Sequence, residues 1–386
     1  MPVTPRQVAD LLGELIRIES VNPSLAVNGS GEAGMAAFIA DWLADTGADV
    51  RVAEVAPGRP NVLARLRGTG GGPTLCLNAH TDTVGLDGWA DDALVPRLEG
   101  DRIYGRGSSD DKLGCAAGLL VLRSLAESGS PPSGDLLLAC VADAEGGSAG
   151  SEHLVSEGGI DAAIVIMGRM AVHEIVVEHQ GFGWVDIITK GVAAHSGQPD
   201  VGVDAIVHLA EVISRLHRLD RKFFEQHPSL MNGRTVFHAG KIEGGSAYST
   251  YPSCAKVGLK VGLQPGERLA DRLAEIQDIF AEVTRQEPGF SAEISVRLQR
   301  EPFVARGHET LQEMIGRAMA EVIGKQPEIT GRNGWTDTAL LQQAGIPTVM
   351  LGAPGGNHHI PGEWASVGET VKLCQILESV ARQYLA

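Results

Sequence analysis

The sequence predicts an α/β protein: a mostly parallel sheet flanked by helices, with a second, smaller α+β domain inserted into the first. Short apolar runs typical of buried strands, such as 136–140, alternate with stretches of helical periodicity, such as 115–125. Between 184 and 298 the order changes to β-α-β-β-α-β, which is the order of a ferredoxin-like unit. A chain of 386 residues is also too long for one hydrophobic core. We therefore predict one domain from residues 1–183 and 299–386 and an inserted domain from residues 184–298.

The individual elements follow from apolar spacing and from the glycine and proline residues that separate them. The first domain is predicted to contain, in order, helices at 4–18 and 34–45, strands at 50–52, 61–66 and 74–77, a helix at 115–125, strands at 136–140, 162–168 and 172–179, helices at 310–323 and after 337, a strand at 348–351 and a C-terminal helix. The inserted domain is predicted to contain a strand at 184–189, a helix at 201–219, strands at 234–239 and 255–263, a helix at 267–285 and a strand at 292–298. Strands that alternate with helices indicate a main sheet covered on both faces.

The composition restricts the partners and the compartment. The net charge of −16 argues against nucleic acid or an anionic membrane surface as the main partner. No apolar run reaches membrane-spanning length, and no export signal is evident. The five cysteines are scattered without a CxxC pair, which is typical of a reduced protein. We therefore expect a cytoplasmic protein that acts on a small molecule and has no nucleic-acid or membrane partner.

Four potential metal ligands follow predicted strands or begin loops: His80, Asp110, Glu145 and His359. In a doubly wound sheet such strand ends converge on one side, so we expect these side chains to lie together. Two imidazoles with two carboxylates suit Zn²⁺, Mn²⁺ or Co²⁺ with a position left open for water. Asp82, two residues after His80, can accept a hydrogen bond from the other ring nitrogen and fix its tautomer.

The same residues lie in four motifs that occur in a fixed order. They are His80-Thr81-Asp82, Gly105 to Asp110 with the pattern Gly-Arg-Gly-x-x-Asp, Ala194-His195-Ser196, and His359 before Pro361-x-Glu363. In these motifs the chain resembles the co-catalytic zinc hydrolases of the M20 group, which includes aminoacylases, acetylornithine deacetylases, succinyl-diaminopimelate desuccinylases and glutamate carboxypeptidases. The resemblance covers nearly the whole chain and implies a zinc-peptidase-like fold.

The resemblance also implies a function, which is hydrolysis of amide bonds by two metal ions. Asp110 would bridge the ions, with His80 on one and Glu145 and His359 on the other. The inserted domain would be a lid that also forms a homodimer, and its His195 would stabilise the tetrahedral oxyanion, often across the dimer.

The sequence departs from the family pattern at several site positions. Ala144 stands where the family has the glutamate that acts as general base, and Arg169 stands where it has an acidic metal ligand. Because a guanidinium cannot bind a cation, we favour one divalent ion over two. Ser249 replaces a common asparagine of the lid and Gly262 a substrate-binding arginine, so the substrate is left open. Arg169, Ser249 and Arg332 remain candidates for substrate binding, the last as a carboxylate ligand.

Three interpretations of Ala144 stay open. The residue can be an engineered inactivation, which leaves Arg169 unexplained. The chain can be a divergent hydrolase with one metal on Asp110, Glu145 and His359, and with His80 free or recruited as a base. It can also be a relative that binds a ligand or catalyses a non-hydrolytic reaction. Other bases near the site in sequence are few, and each is more readily explained as a structural charge: Asp143, Glu174, Glu178 and His179. We predict a metal-dependent hydrolase of an amide or related C–N bond in a small carboxylate-bearing substrate.

Overall fold

The computed structural model describes residues 2–226 and 231–386. The chain divides into two compact units: unit 1 comprises Met1–Val177, Ala305–Thr330 and Thr336–Ala386, and unit 2 comprises Glu178–Val304 and Gly331–Trp335. The short return of residues 331–335 to unit 2 was not part of the predicted domain division. It follows from a hydrogen bond in which the backbone N–H of Gln180 donates to the carbonyl oxygen of Arg332.

Helices and strands alternate along most of the described chain. The helices are α1 Pro5–Arg17, α2 Ala33–Leu43, α3 Lys112–Ala126, α4 Ala149–Glu157, α5 Ala205–Gln226, α6 Leu269–Gln286, α7 Glu309–Ile323, α8 Thr338–Gln343 and α9 Val367–Tyr384. The strands are β1 Asp49–Ala56, β2 Arg59–Leu66, β3 Thr74–His80, β4 Arg97–Glu99, β5 Arg102–Tyr104, β6 Asp135–Val141, β7 Ala162–Met167, β8 Glu174–His179, β9 Gly181–Lys190, β10 Phe237–Gly244, β11 Cys254–Leu263, β12 Ser291–Arg300, β13 Phe303–Val304, β14 Glu328–Arg332, β15 Thr348–Gly352, β16 Gly355–Gly356 and β17 Trp364–Ser366.

The main sheet of unit 1 has the strand order β1-β2-β6-β3-β7-β15-β8. The predicted α/β fold class is confirmed. Within this order the four central strands β6, β3, β7 and β15 pair parallel with one another, whereas β1 pairs antiparallel with β2, β2 with β6 and β8 with β15. The antiparallel edge has a local cause: β1 and β2 are joined by the tight turn at Pro57-Gly58, where Gly58 has a φ of 71°. The sheet is therefore mixed.

Both faces of this sheet are buried, which explains the continuous apolar runs. Alternate residues of β6 enter different core clusters: Leu136 and Leu138 pack with residues of α1, α3 and α9, whereas Leu137 packs with Leu154 of α4 and Leu341 of α8. A strand covered on both sides has no polar face and thus shows no alternation in sequence. The small sheet β16-β17-β5-β4 was not predicted, because strands of two or three residues are too short to show a period in the sequence. Helix α4 was not predicted either.

Unit 2 contains an antiparallel sheet in the order β10-β11-β9-β12. Apolar residues of α5 and α6 pack on this sheet and form a core of their own. Strands β10 and β12 are its edges, and β10 is exposed over almost its full length. Among the described residues, no helix is both long and apolar enough to cross a membrane.

Candidate metal centre

The central parallel strands determine where the candidate ligands lie. His80 ends β3 and pairs in register with Val141 at the end of β6, and Met167 at the end of β7 pairs with Gly352 of β15. The segments that follow these strands therefore leave the same edge of the sheet. They carry Glu145, Arg169 and His359.

The side chains of His80, Asp110 and Glu145 form a cluster in which one ligand atom from each lies within 4.8 Å of the others. His80 Nε2 is 3.4 Å from Asp110 Oδ1. His359 joins the cluster from its open side: its Nε2 is 3.2 Å from Asp110 Oδ2 and 3.1 Å from Glu145 Oε1. The structure thus brings the four predicted ligands together, and His80 is part of the cluster rather than separate from it.

Asp82 lies directly behind the cluster and is completely buried. Ring nitrogen Nδ1 of His80 is 3.0 Å from the carbonyl oxygen of Asp82 and 3.3 Å from its Oδ1, so Nε2 is left to face Asp110. The Asp82 carboxylate also accepts hydrogen bonds from the backbone N–H groups of Ala144 and Glu145, both at 3.0 Å. One carboxylate therefore orients the imidazole of His80 and the loop that carries Glu145.

Glu363 positions the loop that carries Asp110. Its carboxylate accepts hydrogen bonds from the backbone N–H groups of Gly107, Ser109 and Asp110 at 2.9 to 3.1 Å, and it pairs with Arg106 Nη1 at 2.7 Å. Glu363 is 1% exposed. Glu363 is part of the motif that follows His359, but its role depends on three amide donors that only the fold brings to face it.

The alternative bases considered from sequence all have structural partners. Asp143 accepts hydrogen bonds from the N–H groups of Gly147 and Ala149 and from the side chains of Asn22 and Arg59. The other three make the following contacts: Glu174 accepts from the N–H of Ala171, Glu178 accepts from Asn232 Nδ2, and His179 Nδ1 donates to the carbonyl oxygen of Gln180. These contacts favour a structural role for each, as expected. Ala144 is half-buried beside Glu145, and its methyl group cannot accept a proton.

Arg169 contacts the cluster from the end of β7. Its Nη2 lies 3.4 Å from Asp110 Oδ2, which is the same oxygen that faces His359. Its backbone has a φ of 70°, in the left-handed region, and its side chain is 37% exposed. A permanent positive charge therefore stands beside the most central carboxylate of the site.

The electrostatics of the cluster favour positive charge. Burial acts to raise the pKa of Asp110, but the Arg169 guanidinium and the two imidazoles hold that pKa well below its usual range. Hydrogen bonds to Asp110 and Glu145 raise the pKa of His359 to about 10. Burial opposes the charged form of His80, yet hydrogen bonds to Asp110 and Asp82 keep its pKa well above the usual value. Carboxylates that stabilise two imidazolium groups also suit a divalent cation, so the donor set fits one metal ion.

The remaining predicted site residues belong to unit 2. There His195 and Ser249 lie on neighbouring loops: His195 forms a bridge with Thr250, and the N–H of Ser196 donates to the carbonyl oxygen of Ser249 at 2.9 Å. Both side chains are exposed, whereas Arg332 is half-buried. The cluster of unit 1 is formed without any of the three.

Comparison with known proteins gives consistent results. A model of the family described as peptidase family M20/M25/M40 matches residues 76–383. A succinyl-diaminopimelate desuccinylase of Parvibaculum lavamentivorans is 27% identical, over 100% of this chain and 97% of that protein. An acetylornithine deacetylase of Aliivibrio salmonicida is 27% identical, over 91% of each chain. The crystal structure of a tripeptidase from Staphylococcus aureus has the same fold, with a TM-score of 0.83 at 23% identity and full coverage of both chains.

Proposed function

We infer the function of this protein from one premise, which is that the chain belongs to peptidase family M20/M25/M40. It is accordingly an enzyme, a hydrolase of amide bonds. We propose that its substrate is a small molecule with a carboxylate and an acylated amine, such as an N-acyl amino acid or a dipeptide. Two relatives are named for the removal of a succinyl or an acetyl group, which supports an acylated substrate.

One observation carries the proposal: ligand atoms of His80, Asp110 and Glu145 lie within 4.8 Å of one another at one sheet edge, and His359 hydrogen-bonds to Asp110 and Glu145. These four side chains would hold Zn²⁺, Mn²⁺ or Co²⁺, since imidazole and carboxylate are ligands for all three. Such an ion, when bound, polarises a scissile carbonyl and makes bound water acidic.

The chain's own residues have separate tasks in this proposal. Asp82 fixes the tautomer of His80, so that Nε2 keeps its lone pair for the ion. Arg169 and Ser249 contact the substrate, and Arg332 binds its carboxylate. His195 of unit 2 donates a hydrogen bond to the oxyanion.

Because Ala144 cannot act as a general base, we expect proton transfer from water to be the slow step of hydrolysis. A general base contributes about 10²–10⁴-fold to a rate, so the chain as it stands hydrolyses slowly. Ala144 and Arg169 occurring together support a second candidate function, a catalytically impaired or repurposed relative that binds its ligand without hydrolysis. An engineered inactive variant would explain Ala144 alone.

We also propose that the protein is a homodimer through unit 2. Strand β10 is an exposed sheet edge, and large apolar side chains stand out on this unit, among them Ile206, Val207, Ile242 and Tyr248. An exposed strand edge with apolar neighbours is a ready surface for a second copy. A monomer in sedimentation at micromolar concentration would refute the dimer.

All five cysteines are free thiols, which supports a reducing compartment such as the cytoplasm.

The test of the function compares the chain with Ala144→Glu and Ala144→Gln, each with Zn²⁺ or Mn²⁺, on N-acetyl and N-succinyl amino acids. The glutamate should raise the rate by about 10²–10⁴-fold. The glutamine, of similar size but unable to transfer the proton, should leave the rate unchanged. Absence of hydrolysis in every variant would contradict the proposed amide hydrolysis and favour the ligand-binding alternative.

A further inference from the structure

Asp110 is the carboxylate on which a site for two metal ions would depend, because its two oxygens face two different imidazoles of the cluster. Oδ1 faces Nε2 of His80 and Oδ2 faces Nε2 of His359. A carboxylate in this setting can bridge two cations by giving one oxygen to each. In this chain Oδ2 also has the Arg169 guanidinium at 3.4 Å, so a cation is already placed beside it.

The backbone places residue 169 next to the loop that carries Asp110. The preceding residue, Gly168, is pressed onto the Asp110 loop so closely that a Cβ there would lie 2.1 Å from the carbonyl oxygen of Ser109. Residue 169 then turns with a φ of 70°. An acidic side chain at this position would add an oxygen ligand next to Asp110, whereas arginine adds a charge that never titrates away in proteins.

We infer that the centre binds a single divalent ion and that the Arg169 guanidinium takes the place of a second one beside Asp110. This inference rests on the proposed function only in requiring a metal. A second ion at Asp110 would have to approach a guanidinium and would find no ligand from residue 169, so charge and donor set both oppose it.

The same arrangement gives Arg169 a second use. A guanidinium has five N–H donors, and contact with one oxygen of Asp110 does not exhaust them. The side chain is 37% exposed, so it is not enclosed although its guanidinium contacts Asp110. A carboxylate on the substrate can therefore pair with the guanidinium while Asp110 keeps it in position.

The experiment counts metal ions in the full-length protein. Wild type, Arg169→Glu and the matched control Arg169→Gln are titrated with Mn²⁺, and bound ions are counted by elemental analysis and by electron paramagnetic resonance. The substitutions add no backbone strain, since a positive φ is equally unfavourable for each of these side chains. We expect one ion per chain in wild type, and two magnetically coupled ions in Arg169→Glu.

The glutamine control separates the charge from the missing ligand. It removes the guanidinium without adding an oxygen anion, so its second ion should bind more tightly than in wild type and at least about tenfold more weakly than in Arg169→Glu. If Arg169→Glu does not fold, the comparison of wild type with Arg169→Gln still decides the matter. Two tightly bound ions in wild type, or unchanged second-ion binding in the folded variants, would overturn the inference. If the proposed function is wrong but this inference is right, the protein binds one ion and no variant hydrolyses the substrate.

Discussion

The candidate site residues of unit 1 and those of unit 2 are held in opposite ways. In unit 1, Asp110 is 3% exposed, its loop is held by the buried carboxylate of Glu363, and the loop that carries Glu145 is held by the buried carboxylate of Asp82. In unit 2, His195 and Ser249 are exposed, and their loops are joined through backbone hydrogen bonds. The first arrangement suits a rigid centre that binds an ion, and the second suits residues that act only once a substrate is present.

This contrast predicts that substitutions in unit 1 alter folding and metal binding, whereas those in unit 2 alter the reaction alone. The largest effect is expected for Glu363→Ala, which leaves Arg106 and three backbone N–H groups without their buried acceptor. The free energy of unfolding should fall by about 3–5 kcal/mol in urea denaturation, because an uncompensated charge stays buried. Glu321→Ala, at an exposed position of α7, is the control. A loss below about 1 kcal/mol would remove Glu363 from the positioning role.

The second largest effect is expected for His195 of unit 2. In an Ala144→Glu background, His195→Ala should lower kcat by about 10²–10³-fold, the usual cost of losing an oxyanion donor. Its Tm and its bound metal should not change, because the side chain is exposed. His217→Ala, also an exposed histidine of unit 2, is the matched control. If kcat is unaffected and metal binding falls instead, the division between the two units is wrong.

A smaller effect is expected for Asp82→Asn. The amide keeps the shape but has only one acceptor oxygen for His80 and for the two backbone N–H groups of the Glu145 loop. Metal affinity measured by calorimetric titration should therefore fall about 10–100-fold. Asp87→Asn removes the same charge from an exposed position nearby and should leave the affinity unchanged. Equal losses in both variants would mean that net charge, rather than orientation, explains the result.

The smallest effect should come from Ser249→Ala. The exposed hydroxyl makes no contribution to the bridge between the two loops, which uses the backbone oxygen of Ser249. Stability should change by less than about 0.5 kcal/mol. If the hydroxyl binds substrate, KM should rise by about fivefold, as for one neutral hydrogen bond, with kcat unchanged. A fall in Tm would show that this loop is as tightly built as the loops of unit 1.

The sequence predicted the part of the site that depends on strand ends. His80 and Glu145 follow apolar strands, and parallel strands in register place their ends at one edge, so their meeting with Asp110 could be expected. The residues that hold these ligands in place could not be predicted in this way. Glu363 meets three amide groups of a loop more than 250 positions away, and no local pattern encodes that contact. Residues 331–335 likewise join unit 2 through contacts distant in sequence, among them the hydrogen bond from Gln180 to Arg332 and that from Trp335 to Glu301, although their neighbours on both sides belong to unit 1.

Arg169 shows both the reach and the limit of sequence reasoning. Its residue type, at a position where the family resemblance implies an acidic metal ligand, argued against a second metal ion. Its position beside Oδ2 of Asp110 depends on the close packing of Gly168 against Ser109 and on a left-handed φ, which only the folded chain reveals. The positive charge of Arg169 is evident from the sequence, but its position beside Asp110 is evident only from the fold.

The central claim is that unit 1 holds one divalent ion on His80, Asp110, Glu145 and His359. Diffraction at the metal absorption edge, from crystals grown with Zn²⁺ or Mn²⁺, tests it most directly. We expect one anomalous peak per chain, surrounded by these four side chains, with the Arg169 guanidinium still beside Asp110. No peak at this position, or two peaks with Arg169 displaced from the carboxylate, would contradict it.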